Sequence, residues 1–206
     1  MKKASSIIVL GAGILALLAG CCGTSDTRFS DLESRVAKLE QTVKASTAKQ
    51  DAAKLVLQQK IKARARMADD SKIYSDAELD VIENLYQVAN SKWGTPEAVE
   101  SLKTMTSKYK KSNRTGCAIL YLGQMSTGDE QVANLKRSID EYGDCFYGDG
   151  VQVGAYARFV LANVYLQKGE KEKSEKLIKE IKTLFPDSVG HDGNSLVVAA
   201  NELGKN

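Results

Sequence analysis

Apolar and polar positions divide this chain into three stretches. Residues 7–18 form an almost uninterrupted apolar run, shorter than the about 20 apolar residues that a membrane-spanning helix needs. Residues 30–70 read as one long helix, in which apolar positions first alternate in steps of four and three, and over residues 75–206 shorter amphipathic segments are separated by turn residues. Helix-favouring residues dominate residues 30–70 and residues 75–206. The pattern predicts an all-α protein, with one long N-terminal helix followed by an α-solenoid of stacked helical hairpins.

The long helix is predicted to begin at Ser30, because Glu33 stands three residues later at the capping-box position. Its apolar seam keeps coiled-coil spacing for about two heptads and then weakens. The seam residues are Leu32, Val36, Leu39 and Val43. Arg35 and Glu40 occupy the positions that pair between chains in coiled coils. A single solvated, amphipathic helix is the alternative interpretation of this stretch.

Residues 75–206 are predicted to form repeated hairpins. Gly94, Gly128 and Gly169 each separate two helical segments, at intervals typical of helical-hairpin arrays. Thr95 and Pro96 are predicted to open a helix, because proline is best tolerated in the first turn. The predicted helices cover residues 76–91, 96–109, 114–124, 155–168 and 170–185, and one more follows the turn at 126–128 and ends near Tyr142. A further capping helix is expected after residue 188, and a non-repeating helical bundle is the alternative.

Two cysteines belong to this hairpin region. Cys117 lies near the start of one hairpin arm and Cys145 just beyond the end of the other, so their Cα atoms are expected to approach the roughly 5.5 Å that a disulfide needs. We therefore predict a Cys117–Cys145 disulfide. A redox-active or metal-binding pair is the alternative, although no Cys-x-x-Cys spacing occurs and His191 is the single histidine of the chain.

The loop Gly143–Gly154 is the most distinctive stretch of this region. It combines acidic, aromatic and glycine residues between two helices, and long loops in compact domains are often functional. We expect its aromatic residues to pack beneath the loop, and we predict a partner contact through Phe146, Tyr147 and Asp149. A calcium loop is the alternative, but the Asp-x-Asp-x-Asp-Gly spacing is missing, and no metal site is predicted.

The N-terminal residues resemble the signal peptide and lipobox of bacterial lipoproteins. Lys2 and Lys3 precede the apolar run, and Leu18-Ala19-Gly20-Cys21 ends it. The resemblance implies cleavage before Cys21, acylation of Cys21 with fatty acyl chains such as palmitate, and anchoring in membrane lipid. The alternative is a plain secretory signal. In lipoproteins of two-membraned bacteria, a residue other than Asp after the acylated cysteine, here Cys22, implies the outer membrane, facing the periplasm.

Four segments follow from this resemblance and from the apolar pattern. They are a signal peptide over residues 1–20, a lipidated tether over residues 21–29, a helical stalk over residues 30–70 and a repeat domain over residues 75–206.

The predicted hairpins resemble the tetratricopeptide repeat. The last unit matches the family at Leu161, Ala162, Tyr165, Ser174, Ile178, Ile181 and Pro186, and the first at Leu85, Ala89, Ala98, Leu102 and Met105. The middle unit departs, with Leu135 where a small residue is usual. In this family the first helices of the hairpins line a groove that binds peptides or proteins. The resemblance therefore makes Tyr121, Arg158 and Asn163 groove candidates.

The order of export signal, coiled coil and repeats resembles the Tol-Pal-associated cell-division coordinator family. In that family the coiled coil trimerises and the repeats bind partners, but the signal is a plain secretory one, so the lipobox is a departure. We expect a cell-envelope adaptor that binds envelope proteins and forms a homo-oligomer, with no catalytic residues and no cofactor. The alternatives are a small-ligand or enzymatic site in the Gly143–Gly154 loop, and a purely structural spacer. Nucleic acid is not an expected partner, because 29 basic residues nearly balance 26 acidic ones.

Overall fold

The computed structural model describes residues 25–203 and 205, with side chains from residue 29 onwards. This part of the chain is helical, with one 3₁₀ turn at Asp69–Lys72 and no β-strand. Its α-helices are α1 (Ser25–Ala68), α2 (Asp76–Ser91), α3 (Pro96–Lys108), α4 (Asn113–Met125), α5 (Gly128–Glu141), α6 (Val153–Gln167), α7 (Lys171–Leu184) and α8 (Leu196–Leu203). The predicted all-α class, with one long N-terminal helix, is confirmed.

The chain divides into two compact units between Ala45 and Ser46, within α1. We call residues up to Ala45 the N-terminal unit and residues from Ser46 the C-terminal unit. The helix begins at Ser25, so Ser30 lies inside it and does not cap it, and part of the predicted tether is helical. The predicted signal peptide, over residues 1–20, and Cys21 lie outside the described residues.

In the N-terminal unit, α1 carries an exposed apolar stripe. Leu32, Val36 and Leu39 are 54%, 52% and 64% exposed. Arg35 forms its ion pair within the helix, 3.8 Å from Asp31. An exposed stripe at this spacing is compatible with the predicted coiled coil, which would bury it between helices.

The C-terminal unit contains three helical hairpins, α2–α3, α4–α5 and α6–α7. Each hairpin packs against the next along the chain, and α8 packs on α6 and α7. The glycines at the three hairpin turns, Gly94, Gly128 and Gly169, have φ angles of 77°, 65° and 75°, in the left-handed region that favours glycine. These turns were predicted from the sequence, and the helix bounds agree closely with the predicted ones.

Local capping accounts for the starts of the first hairpin's helices. The Ser75 hydroxyl accepts a hydrogen bond from the Glu78 backbone N–H, and the Glu78 carboxylate accepts one from the Ser75 backbone N–H at 2.8 Å. Thr95 caps α3 in the same way, and Pro96 occupies the first turn as predicted. The capping box therefore fixes the start of α2 at Asp76, with Ser75 as the N-cap residue.

The hydrophobic core lies between the hairpins. Its largest fully buried side chains include Leu102, Met105, Ile119, Leu120, Leu135, Leu161 and Ile181. Leu135, the departure from the tetratricopeptide pattern, packs on Gly123, where an added Cβ would lie 3.0 Å from its side chain. The small residue at this contact is therefore Gly123 on α4, which leaves room for Leu135 on α5.

Three linkers connect the hairpins to the next helix. The first linker is 109–112, the second is 142–152 and the third is 185–195. The second and third linkers share one hydrogen-bond pattern. The Val153 N–H donates to the Cys145 carbonyl at 2.8 Å, and the Leu196 N–H donates to the Ser188 carbonyl at 2.9 Å. These two loops are therefore structural repeats of one another, which the helix pattern alone did not reveal.

The C-terminal half of α1 contacts all three linkers. The buried Gln59 donates to the Asp187 carbonyl in the third linker at 2.7 Å. Its side chain also lies against Gly150 of the second linker, where an added Cβ would be 3.0 Å away. Arg66 reaches the Asp144 carboxylate in the second linker at 3.2 Å and the Lys111 carbonyl in the first at 3.4 Å. This half of α1 thus holds the linkers in position.

Candidate functional site

A continuous series of aromatic rings runs across the three hairpins. We call it the aromatic row, and its members are Tyr86, Trp93, Tyr121, Tyr147, His191 and Tyr156. Tyr86 lies on α2, Tyr121 on α4 and Tyr156 on α6, while Tyr147 and His191 belong to the second and third linkers. Tyr86 and Trp93 both contact Tyr121, and contacts continue from Tyr121 to Tyr147, His191 and Tyr156, so the row joins elements that are distant in sequence.

The first half of the row is built around Tyr121. Its ring stacks on Tyr86 with centroids 5.5 Å apart, and the two hydroxyls are 2.9 Å apart. Trp93, at the α2–α3 turn, meets Tyr121 edge-on at 4.8 Å and is 48% exposed. The Tyr121 hydroxyl also donates to the Asn90 side chain at 3.3 Å. This half therefore presents an exposed indole and an amide beside tyrosines held in place.

Arg114 anchors the α2 end of the row. Its guanidinium lies 4.2 Å from the centroid of the Tyr86 ring. The Glu83 carboxylate accepts two hydrogen bonds from this guanidinium, at 2.8 Å and 3.2 Å. A cation between an aromatic face and a carboxylate is a favourable arrangement, because both partners carry negative electrostatic potential towards it.

The second half of the row is centred on His191. The Tyr147 ring lies 5.6 Å from Tyr121 and 4.8 Å from His191, and the Tyr156 ring is also 4.8 Å from His191. His191 Nδ1 lies 2.7 Å from the Asp149 carboxylate. The third linker is thereby tied to the second through the single histidine of the chain.

Burial keeps the tyrosines of the row neutral. It raises the pKa of Tyr86, Tyr121 and Tyr147 above the ordinary tyrosine value. Burial also acts to raise the pKa of Asp149, but the hydrogen bonds from His191 and from the Val151 N–H outweigh it, and the pKa lies below its usual value. The row therefore combines neutral aromatic rings with an ionised carboxylate, a set of groups suited to recognition.

The structure brings together three of the predicted contact residues and separates the others. Tyr121, Tyr147 and Asp149 all lie in or beside the aromatic row. Phe146 is buried, and its backbone bonds the Asn113 side chain through both the N–H and the carbonyl, at 2.8 Å and 2.7 Å. Phe146 therefore supports the linker from within and does not present a surface to a partner.

Arg158 lies apart from the row. Arg158 donates to Glu180 at 2.9 Å and lies over the Phe185 ring, in a groove of about 600 Å³ between α5, α6 and α7. Asn163 is exposed on α6. The tetratricopeptide resemblance placed both residues in one groove with Tyr121. The side chain of Arg158 instead faces the second helix of its hairpin, because Glu180 and Phe185 offer it an ion pair and a ring.

Four members of the row were not predicted as contact residues from the sequence: Tyr86, Trp93, His191 and Tyr156. One signal was present, because Tyr86, Tyr121 and Tyr156 are evenly spaced along the chain. The interval is close to one hairpin repeat, although the three residues occupy different positions in their helices. No comparable sequence signal marks Trp93 or His191.

Cys117 and Cys145 are free thiols in the structure, not the predicted disulfide. The Cys117 thiol donates to the Phe146 carbonyl at 3.4 Å, whereas the Cys145 sulfur lies 3.7 Å from the Arg66 guanidinium. Each side chain is thus engaged by a different element. Burial raises the pKa of both thiols, that of Cys145 to about 12. Buried, protonated thiols of this kind are inert packing groups.

The two acids of the Gly143–Gly154 loop do not converge. Asp144 pairs with Arg66 at 3.2 Å, whereas Asp149 pairs with His191 at 2.7 Å. Across the residues that the structure describes, no three His, Cys, Asp or Glu side chains are placed to hold a metal ion. The loop carboxylates therefore serve two separate contacts.

Comparisons with family models, with curated proteins and with solved structures found no match to this chain. None of the helices in the described part of the chain is long and apolar enough to cross a membrane.

Proposed function

We propose that this protein is a lipid-anchored adaptor of the cell envelope that binds partner proteins through tetratricopeptide-like hairpins. The aromatic row carries this proposal. It exposes Trp93 and Asn90 beside tyrosines that are held by stacking and hydrogen bonds. Rigid aromatic residues that are partly exposed are typical anchors of protein–protein interfaces. The sequential packing of three hairpins supports a solenoid, in which such a surface extends across several repeats.

The proposed anchor is Cys21, acylated in the manner of bacterial lipoproteins, in the outer membrane and facing the periplasm. The support is the sequence Leu18-Ala19-Gly20-Cys21 after a short apolar run. Several acyl chains hold a protein on a membrane stably, because each buried CH₂ contributes about 0.8 kcal/mol. A Cys21→Ser variant that still fractionates with membranes would contradict the anchor.

Photo-crosslinking tests the adaptor role. A photoreactive amino acid at Asn90 is expected to capture an envelope protein in intact cells, since Asn90 is exposed and both it and the exposed Trp93 contact Tyr121. Adding Trp93→Ala should reduce the adduct at least about tenfold, because truncating an interface anchor costs about 2 kcal/mol or more. The measurement is the intensity of the adduct band, with helicity checked by circular dichroism.

Leu184→Ala is the matched control, because Leu184 is an apolar side chain exposed on α7, away from the row. Its adduct should equal that of the wild type. Equal adducts from the Trp93→Ala and Leu184→Ala proteins would remove the row from the interface. The absence of any adduct at Asn90 would leave the domain a structural spacer.

We further propose that the N-terminal unit forms a coiled-coil homo-oligomer, a trimer by resemblance. The exposed Leu32, Val36 and Leu39 provide the seam, and burying each leucine is worth about 1.5–3 kcal/mol. Leu32→Asp with Leu39→Asp is expected to convert the oligomer to a monomer, measured by sedimentation velocity. Ala37→Asp, outside the seam on the same helix, should leave the oligomer intact. A monomeric wild type would overturn the proposal.

A further inference from the structure

His191 occupies a site formed by two tyrosine rings and a carboxylate. The Tyr147 and Tyr156 rings flank the imidazole, with centroids 4.8 Å away and interplanar angles of 81° and 75°. The Asp149 carboxylate closes the site, 2.7 Å from Nδ1. A cation at the position of the imidazole would lie within the about 6 Å at which cation–π attraction is effective, for both rings.

We propose that Tyr147, Tyr156 and Asp149 form a binding site for a cationic side chain of the partner, arginine or lysine, and that His191 fills this site when the partner is absent. The inference rests on the proposed adaptor function and specifies the chemistry of the partner segment. The partner's cation displaces the imidazole and takes over the contact with the Asp149 carboxylate.

Charge in the site favours a cation. The Asp149 carboxylate accepts the Val151 backbone N–H at 3.2 Å as well as the contact from His191, so it stays oriented in the loop when the imidazole leaves. Asp192, next to His191 in the third linker, is an exposed carboxylate whose oxygens accept the Asn194 backbone N–H at 3.0 Å and the Asn194 side-chain amide at 2.8 Å, and it adds negative charge beside the site. Both tyrosine ring centroids lie 4.8 Å from the imidazole centroid, within the range of cation–π attraction. A guanidinium or ammonium is the ligand that satisfies all of these groups together.

The protein uses the same chemistry elsewhere in the row. Arg114 lies 4.2 Å from the Tyr86 centroid, and its guanidinium donates to Glu83 at 2.8 Å. That position is filled by a permanent intramolecular arginine. The Tyr147–Tyr156–Asp149 site holds only a histidine, the weaker partner, because its ring carries a full charge only when protonated.

His191 is placed to leave the site. Its side chain is 39% exposed, and it stands in a turn closed by the hydrogen bond from the Gly193 N–H to the Gly190 carbonyl at 2.9 Å. Rotation of the side chain moves the imidazole into solvent without breaking this turn. Tyr147, which is only 3% exposed, is then uncovered at the side where the imidazole lay.

Arginine amide is a simple probe of the site. We expect it to shift the aromatic ring signals of Tyr147 and Tyr156 in NMR spectra of the purified protein. In the His191→Ala protein, where the competing imidazole is absent, its Kd should be at least about fivefold lower than in the wild type. In the wild type at high probe concentration, the His191 ring signals should move towards those of a solvated imidazole.

Two further variants decide the outcome. Asp149→Asn in the His191→Ala background should abolish the gain in affinity, whereas Asp129→Asn, an exposed acid on α5, should preserve it. Equal Kd values in the wild type, His191→Ala and the Asp149→Asn double variant would overturn the proposal, as would ring signals that do not respond. These measurements need no partner protein, so their failure is distinct from a failure of the photo-crosslinking experiment.

Discussion

Replacing Arg66 with methionine is expected to lower the free energy of unfolding of the C-terminal unit by about 3 kcal/mol at pH 7. Arg66 Nη1 donates to the Asp70 carboxylate at 2.8 Å, and only 6% of the Asp70 side chain is exposed. The variant leaves this buried carboxylate with the Asn113 backbone N–H, at 2.8 Å, and without its counter-ion. Losing one partner of a buried ion pair is costly, because the remaining charge keeps its desolvation penalty. Urea unfolding at pH 7 measures the effect.

The difference in free energy of unfolding between the wild type and the Arg66→Met protein should shrink as the pH falls from 7 towards 4. Burial raises the pKa of Asp70 above its ordinary value in the wild type, although Arg66 and the Asn113 N–H act to lower it. Without Arg66 this pKa rises further. A carboxyl whose folded pKa is raised contributes stability at low pH and loses it as the pH rises through that pKa. On acidification the free energy of unfolding of the Arg66→Met protein therefore rises relative to that of the wild type.

Arg64→Met is the matched control for this experiment. Arg64 is exposed on the same helix, so its replacement should change stability by less than about 0.5 kcal/mol. If Arg66→Met and Arg64→Met unfold at the same urea concentration, the Asp70 ion pair does not stabilise the fold. A loss independent of pH would show that packing of the Arg66 stem, not the Asp70 charge, is responsible.

Replacing Gly154 with alanine is expected to destabilise the same unit by about 2 kcal/mol. Gly154 stands in the first turn of α6, and a Cβ there would lie 2.7 Å from both the Cα and the carbonyl oxygen of Gly143. Both are backbone atoms, which cannot rotate away, so α6 and the second linker must separate. The better helix propensity of alanine offsets about 1 kcal/mol of the strain. Thermal and urea unfolding measure the difference.

Gly148→Ala is the corresponding control in the second linker. A Cβ at Gly148 meets no atom within 4 Å, so this variant should be as stable as the wild type or slightly more stable. Equal stability of the Gly154→Ala and Gly148→Ala proteins would show that the contact between Gly143 and Gly154 is not tight in solution. Because α6 carries Tyr156, we also expect Gly154→Ala to disturb its ring contact with His191.

The helices and turns of this protein were predictable because their causes are local. The Ser75–Glu78 capping box, Pro96 in the first turn of α3 and glycines at the hairpin turns act within a few residues. Apolar spacing within each helix showed which face is buried. These signals were sufficient for the all-α class, for the order of the hairpins and for the exposed seam of α1.

The contact residues were predicted only in part. Tyr121, Tyr147 and Asp149 were expected in a partner contact and lie at the aromatic row, but Arg158 does not. A resemblance between repeats indicates which helix faces a groove, but small rotations of a helix decide which partner a long side chain reaches. The Arg158 side chain contacts Glu180 and Phe185 and does not reach the row.

The sequence by itself therefore determined the secondary structure, the hairpin order and the position of the apolar seam. Only the tertiary structure decided that His191 meets Asp149 from another linker and that Cys117 and Cys145 engage different partners. Those contacts depend on the path of the linkers, which α1 holds in place through residues such as Gln59 and Arg66. Contacts between residues so far apart in the chain depend on how all the helices pack together. A local sequence pattern does not specify that packing.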